Sequence, residues 1–420
     1  MRHALPFSSD KDRLALSLFT GAGGLDIGIE RGGNWTSVAF VDSDPTFSRT
    51  LELNREAGRL GTPDSKILNE DLAGFDFAAL RRKLKLKKGE LDLLIGGPPC
   101  QSFSTAGRRG TVQDPRGELL WDFLRAVDEF RPKWFLLENV RGLLSAALRH
   151  RPLAERPNAG GPPLAPDEMP GSVLELWKED LRDIGPYRLD SFEVNAVNYG
   201  APQLRERMLI FGNRLGMQVD FPEPTHGPGE RQQPYATLRD ALGGLDDLKP
   251  ILLDFSPRKK EFLKLVPPGG NWRALPDELQ RKSMGRAYFA KGGRSGWWRR
   301  LSWDLPSPTI MTMPNHASSS LCHPDEVRVL SLKECARIQE FPDDWVFSGT
   351  VADQYEQVGN AVPVRLGELA AKAIESAGKA RPETETFRRV YLSSHVRTRQ
   401  WFRKGEAFVR RNGRDEVLAA

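Results

Sequence analysis

Cys100 stands directly after Pro98 and Pro99, beyond the apolar run Leu91-Asp92-Leu93-Leu94-Ile95. Such a run, bounded by Gly and Pro, reads as a short buried strand. The thiol is therefore expected just past a strand's carboxyl end, where open α/β sheets place their ligands. The prolines fix φ and stiffen the turn, which suits a thiolate held in place as a nucleophile. A lone cysteine is otherwise more often a small buried hydrophobe. Cys322 has no comparable setting, and Cys335, in a helical stretch with apolar neighbours, reads as core. Glu138 follows the apolar strand Trp134–Leu137, and in a parallel sheet it would emerge on the same rim. On its own it is as readily a capping or salt-bridging residue as a reacting acid. Arg205 and Arg207 taken alone read as loop solvation. Gly21, Gly23 and Gly24 follow a strand and open a helix, which permits close backbone approach to a ligand. Their spacing is not GxGxxG, and Asp26 would repel a phosphate, so the ligand expected there carries an ammonium and a carboxylate instead. Asp42 ends the second strand, where an acid can hold ribose hydroxyls.

These residues need a frame, and the first half of the chain supplies one. Strands are predicted at Leu14–Phe19, Ser37–Val41, Leu91–Ile95 and Trp134–Leu137. Helices are predicted near Leu25, at Pro45–Asn54 and at Leu119–Phe130, the last stopped by Pro132. This alternation implies a parallel sheet with helices on both faces. Residues 151–171, rich in Pro, Gly and Ala, read as a flexible surface insertion. A helix at Ser172–Ile184 follows, then strands at Phe192–Ala196 and Met208–Gly212. From residue 214 prolines punctuate the chain and helical spacing thins, so 214–326 reads as a smaller loop-rich domain. Helical periodicity returns at Ser331–Phe341 and Val364–Ala377. The expected division is 1–213, 214–326, 327–377 and a basic extension over 378–420.

Composition bounds the rest. The 420 residues can bury a large core, carry a net charge of +5 and have a pI near 9.0. No apolar run is long enough to span a bilayer, and Met1 to Lys11 holds no signal-peptide core. The three cysteines form no CxxC pair, so no metal site or disulfide framework is expected, and a reducing cytoplasm is. The basic charge is clustered. Residues 281–303 hold Arg281, Lys282, Arg286, Lys291, Arg294, Arg299 and Arg300 with Tyr288, Trp297, Trp298 and Trp303, and no acid. Residues 386–414 hold nine basic residues, Tyr391, Trp401, Phe402 and one acid, Glu406. Basic residues mixed with aromatics suit a polyphosphate partner.

Six segments together carry a resemblance. They are Leu18 to Asp26; Gly96 to Ser104; Glu138-Asn139-Val140; Gln203-Leu204-Arg205-Glu206-Arg207; Glu334 to Arg337 leading into Gln339-Glu340-Phe341-Pro342; and Gln357 to Pro363. In this order they resemble the motifs of the cytosine-5 DNA methyltransferases over roughly residues 14–375. The resemblance implies a Rossmann-like S-adenosylmethionine-dependent methyltransferase sheet with a smaller target-recognition domain. It implies Cys100 as the nucleophile that adds to C6 of a flipped-out cytosine, Glu138 at N3 and Arg207 at O2, with Arg205 positioning a phosphate or Glu138. S-adenosyl-L-methionine, leaving as S-adenosyl-L-homocysteine, would be held by Phe19, Gly21, Gly23, Gly24, Asp42, Asp71, Pro98, Leu119, Asn360 and Val362. Ser43 stands where the family often has a large side chain against adenine.

Arg108 and Arg109 lie in a Gly- and Arg-rich loop suited to closing over DNA. Gln203, Arg294, Arg299 and Arg300 complete the expected DNA contacts. The partner expected is double-stranded DNA, met by a cytoplasmic monomer acting as the modification enzyme of a restriction system. A cognate endonuclease would be encoded nearby, with no stable complex required. A tRNA-methylating relative and a catalytically silent DNA-binding relative are the alternatives.

Overall fold

The computed structural model describes residues 13–99, 119–290, 294, 296–379 and 386–389. Cys100, Arg108 and Arg109 lie outside the described residues, as do the rest of 101–118 and the tail from 390. Packing divides the chain into two compact units. Of the described residues, the first comprises 13–194, Glu206–Pro222 and those from Gly367 onward; the second comprises Asn195–Arg205 and those of Glu223–Leu366. Residues 327–366 thus pack with the loop-rich region, and the chain re-enters the first unit only at Gly367.

The first unit is built on one sheet. Its strands are β1 (Arg13–Leu18), β2 (Trp35–Asp42), β3 (Lys66–Asn69), β4 (Leu93–Gly96), β5 (Trp134–Asn139), β6 (Arg188–Asn195), β7 (Glu206–Asn213) and β10 (Thr386–Arg389), in the spatial order β10-β6-β7-β5-β4-β1-β2-β3. Strands β3, β2, β1, β4 and β5 are mutually parallel, whereas β7 runs antiparallel to β5. The order reverses beside β1: β2 and β3 lie to one side, β4 and β5 to the other. Doubly wound sheets open their ligand crevice at such a reversal, outside the carboxyl ends of the strands.

The helices follow from local chemistry. They are α1 (Gly24–Gly32), α2 (Pro45–Glu56), α3 (Phe77–Lys83), α4 (Leu119–Phe130) and α5 (Ser172–Ile184). Asp44 caps α2, accepting from the Thr46 amide at 2.7 Å with Pro45 at the first position. Helix α4 buries Phe123, Leu124, Val127 and Phe130, and α5 buries Val173, Trp177 and Leu181. Both pack on Leu94, Phe135 and Leu137 of the sheet, with Phe135 edge-on to Phe123 and Trp177 at 5.8 and 6.1 Å. Each such side chain contributes about 1.5–3 kcal/mol on burial.

Two segments differ from the sequence expectation. Residues 151–171 are not a loose insertion. They form three 3₁₀ turns gathered around Glu168, which pairs with Arg151 and accepts from the Ala165 amide at 2.8 Å. The basic extension begins as structure: β9 (Gly378–Lys379) pairs with β8 (Met217–Gln218), and β10 lies parallel to β6 at the sheet edge.

The second unit has its own core of Phe255, Leu263, Val266, Trp272, Met284, Trp298 and Val329. Its helices α6 (Leu238–Leu242), α7 (Pro257–Leu263) and α8 (Asp277–Met284) are short. Two later helices, α9 (Leu332–Ile338) and α10 (Val351–Asn360), start on capping boxes, Ser331 with Glu334 and Thr350 with Asp353. Each cap is worth about 1 kcal/mol. Helix α11 (Val364–Glu375) then leads back to the first unit. Among the described residues no helix is long and apolar enough to cross a membrane.

Candidate active site

Strand register gathers the expected site residues of the first unit on one rim. Leu18 of β1 pairs with Gly96 of β4 on one side and Val41 of β2 on the other, and Gly96 pairs with Leu137 of β5. Phe19, Pro98, Asp42 and Glu138 therefore all leave, or sit at, the carboxyl ends of adjacent parallel strands. Two positions beyond Pro98 stands Cys100, outside the described residues.

The antiparallel setting of β7 brings in a cation. Asn139 pairs with Met208 and Glu138 with Leu209, so the first residues of β7 reach the rim where β5 ends. A parallel strand would have delivered them to the opposite edge. Arg207 Nε lies 2.6 Å from Glu138 Oε1, with the two side chains 13% and 9% exposed. Breaking a pair this buried by removing one partner costs about 3–5 kcal/mol. Gly97 lies against the same carboxylate: a Cβ there would come within 3.1 Å of Glu138 Oε2. Asn139 donates to the Pro98 carbonyl at 3.3 Å. Strand β5 thus holds both the acid and the loop that leads into Cys100. Sequence reading did not single out Asn139 for this, although it sits inside the Glu-Asn-Val segment. A second ion pair was also missed: Arg141 Nε to Glu193 Oε1 at 2.5 Å, with Glu193 fully buried.

The glycine loop is bound to β2. The Gly21 amide donates to Asp42 Oδ2 at 2.7 Å, and the Asp44 amide to Oδ1 at 3.0 Å. Burial holds the Asp42 carboxyl above its ordinary value, against these two amides, which lower it. A carboxylate has about four acceptor sites, so two amides leave capacity for ligand hydroxyls. Gly21 and Gly23 have φ of 58° and 84°, in the left-handed region that glycine adopts without cost, and a Cβ at Gly21 would meet nothing within 4 Å. Phe19 is also left-handed, at φ 55°, a strained setting for a bulky residue and one that concentrates at ligand sites. Asp71 is exposed on the loop after β3, and Arg125 of α4 ties that loop down through the Phe75 carbonyl at 2.8 Å. Asp26 departs from expectation. It is 1% exposed inside α1, and burial pushes its carboxyl up to about 7.

Residues Gln203 and Arg205, expected at the substrate, are buried in the second unit. Gln203 Nε2 donates to Gln339 Oε1 at 2.6 Å and to the Ile338 carbonyl, and its Oε1 accepts from the Ile310 amide. Gln339 donates in turn to Val358 and Ala361. Arg205 is 2% exposed and donates to the carbonyls of Ile310, Gly359 and Asn360. Both side chains therefore fix the backbone around Asn360 and Val362. Of the expected DNA-reading arginines, Arg294 lies 5.2 Å from the Trp272 ring and donates to the Tyr288 carbonyl. Arg299 is part-buried. Arg300 donates to the carbonyls of Pro324, Val266 and Asp325, a structural commitment.

The two described cysteines are fully buried. Burial pushes the Cys322 thiol up to about 12 and that of Cys335 well above its ordinary value. Neither is a usable thiolate near neutral pH.

A reversed parallel sheet with an antiparallel strand between β5 and β6, a glycine loop on β1 and acids at the ends of β2 and β5 defines the Rossmann-like methyltransferase class. Comparison narrows this. The sequence model of the C-5 cytosine-specific DNA methylase family matches residues 15–376, and the chain belongs to that family. It is 36% identical over 366 residues to the type II methyltransferase M.Eco47II of Escherichia coli, covering 86% of this chain and 78% of that protein. It is 36% identical over 376 residues to M.PspPI of a Psychrobacter species, covering 88% and 80%. Against M.Sau96I of Staphylococcus aureus the identity is 35%, covering 87% and 76%. Among solved structures it shares the fold of a DNA modification methyltransferase encoded within an E. coli prophage, with TM-score 0.56 and 23% identity over 86% of this chain and 98% of that one. It also shares the fold of a Spodoptera frugiperda DNMT2 variant, with TM-score 0.54 and 16% identity over 86% and 99%.

Proposed function

We propose that this protein methylates C5 of cytosine within a specific duplex DNA sequence, as the modification enzyme of a type II restriction system. The observation that carries the reading furthest is the Glu138–Arg207 pair at the end of β5, beside the Pro98 carbonyl that Asn139 holds. C5 of cytosine is not nucleophilic until a group adds at C6. Cys100 is the nucleophile in this reading, and Cys322 and Cys335, buried with raised thiols, offer no alternative. Addition sends negative charge toward N3 and O2 of the ring. In the free protein the Glu138 carboxylate pairs with Arg207, which keeps both side chains in register. On taking up a proton from solvent as the base binds, Glu138 passes it to N3, while Arg207 supplies a cation at O2.

The methyl donor is S-adenosylmethionine, which supplies an electrophilic methyl group when bound. The open glycine loop and the acid at Asp42 fit a donor with ribose hydroxyls and no phosphate. Phe19, Gly21, Gly23, Gly24, Asp42, Asp71, Pro98, Leu119, Asn360 and Val362 would hold it. Arg205 and Gln203 act as supports of the Asn360 segment. In this reading Arg108 and Arg109, in the loop after Cys100, contact phosphates. Of the second-unit arginines, Arg294 and Arg300 hold protein carbonyls, and Arg299 is the one kept as a DNA contact.

Labelled methyl transfer from S-adenosylmethionine to DNA, to tRNA or to neither tests the reading. Bisulfite sequencing of methylated plasmid then gives the mark and its site. An active enzyme that leaves no C5 mark on DNA would overturn it.

A further inference from the structure

Within the basic and aromatic stretch over 281–303, several described side chains meet at one tyrosine. Tyr288 lies at the end of the 3₁₀ turn Gly285–Phe289 that follows α8. Its ring meets Trp272 edge-on at 5.9 Å, and the Arg281 guanidinium lies 5.7 Å from its centre. Its carbonyl accepts from Arg294, which itself lies over Trp272. Trp272 is 6% exposed and belongs to the core of the second unit. Tyr288 is thus fixed through both ring and backbone, and Phe289 follows it on a held turn.

Phe289 is 77% exposed, its ring meeting Tyr288 edge-on at 5.2 Å. Beside it Arg281, Lys282 and Arg286 are also exposed, and residues 281–303 contain no acid. A large apolar ring on a held turn, followed and preceded in sequence by cations, is an unfavourable surface for water and a suitable one for a nucleic acid. The cations neutralise phosphates without reading sequence, while an apolar side chain contacts only bases, through a thymine methyl or a stacking face.

We propose that Phe289 makes a direct apolar contact with bases of the target duplex and sets part of the sequence preference, with Arg286 beside it on phosphate. This rests on the reading of the protein as a duplex DNA methyltransferase. DNA is favoured over a second copy of the chain because every charged residue from Arg281 to Arg300 is a cation, the nearest acids in sequence being Asp277 and Glu278 in the first turn of α8 and Asp304 beyond the stretch.

The test uses the full-length wild type with Phe289→Ala, Phe289→Leu and Arg286→Ala. Each is titrated with a duplex carrying the site located by bisulfite sequencing and with a random duplex of equal length, across a salt series. Phe289→Ala should weaken binding of the specific duplex roughly tenfold, change random-duplex binding by less than about twofold, and leave the salt slope unchanged, because no charge is removed. Phe289→Leu should retain part of the preference and, if the alanine variant fails to fold, serves in its place. Arg286→Ala should weaken both duplexes and flatten the slope by about one unit. Wild-type binding and site preference in the Phe289 variants would overturn the proposal. So would equal loss on both duplexes, or a self-association in sedimentation that Phe289→Ala abolishes. A wild type that methylates no DNA removes the functional reading itself, a result separable from a DNA-methylating enzyme indifferent to Phe289.

Discussion

Replacing Asp26 with Asn should stabilise the protein in a pH-dependent way. Asp26 is 1% exposed in the first turn of α1, and its carboxyl is pushed from 3.8 up to about 7, first by burial, against a hydrogen bond with Ser17 that lowers it, and with Glu30 nearby adding to the rise. A raised acid binds its proton more tightly folded than unfolded. Between pH 4 and 7 the native state therefore holds more protons, and stability falls as pH rises through that window. About three pKa units at about 1.4 kcal/mol each give roughly 4 kcal/mol of destabilisation, fully developed above pH 7 and absent below pH 4. Asparagine has nearly the same shape and no charge. Its own burial adds an offset independent of pH, so the diagnostic quantity is the variant-minus-wild-type stability as a function of pH. Urea unfolding, followed by hydrogen exchange at β1 and α1 from pH 4 to 8, measures it. The difference should grow in favour of Asp26→Asn by a few kcal/mol across the range. A difference that is flat, or that grows toward acid, would refute the assignment of a strained buried carboxyl.

Glu138→Gln should lower single-turnover methylation by about 10²–10⁴-fold while leaving DNA binding nearly intact, since it removes the acid and keeps the shape. Arg207→Ala should lose activity and also about 3 kcal/mol of stability in thermal melts. Combined with Glu138→Gln it should cost less than the sum, because no buried charge is left unpaired. Gly359→Ala places a Cβ 2.4 Å from the Thr312 amide nitrogen, and the backbone shift it forces should cost about 1–3 kcal/mol, readable as a lowered unfolding midpoint of the second unit. Truncation after Val390 keeps β10 but removes Arg397, Arg399, Arg403, Lys404, Arg410, Arg411 and Arg414. DNA affinity should then fall at moderate salt with a shallower salt dependence and unchanged site preference. Identical slopes would mean that the tail does not touch DNA. Truncation after Ala380 removes an edge strand as well and bares β6 to aberrant pairing, so it is the wrong comparison.

Local signals made much of this legible. Leu119–Phe130 and Ser172–Ile184 form the predicted helices because an apolar stripe at 3.6-residue spacing ends at Pro132 and at Gly185. The rim follows from apolar strands that end in Asp42, Gly96 and, one residue past Glu138, Asn139. What the sequence could not carry is the destination of long polar side chains. Gln203 and Arg205 lie in a polar segment that reads as exposed, yet they satisfy carbonyls more than 100 residues away, at Ile310, Ile338 and Gly359. Arg300 is the same case at shorter range. Helix α10 was missed although Thr350 and Asp353 announce its capping box. Strand β10 was missed because a basic run masked its β-forming residues. Residues 151–171 were read as loose from their proline and glycine content, without the Arg151–Glu168 pair that orders them.

The central claim is that Cys100 forms a covalent bond to the cytosine it methylates. The direct measurement uses a duplex carrying 5-fluorocytosine at the methylated position, where fluorine cannot leave as a proton and the adduct persists. With S-adenosylmethionine present, wild-type protein should form a denaturation-resistant complex whose tryptic map places the base on the peptide containing Cys100, and Cys100→Ser should bind the duplex and form none. An adduct that survives in Cys100→Ser, or that maps to Cys322 or Cys335, would contradict the account.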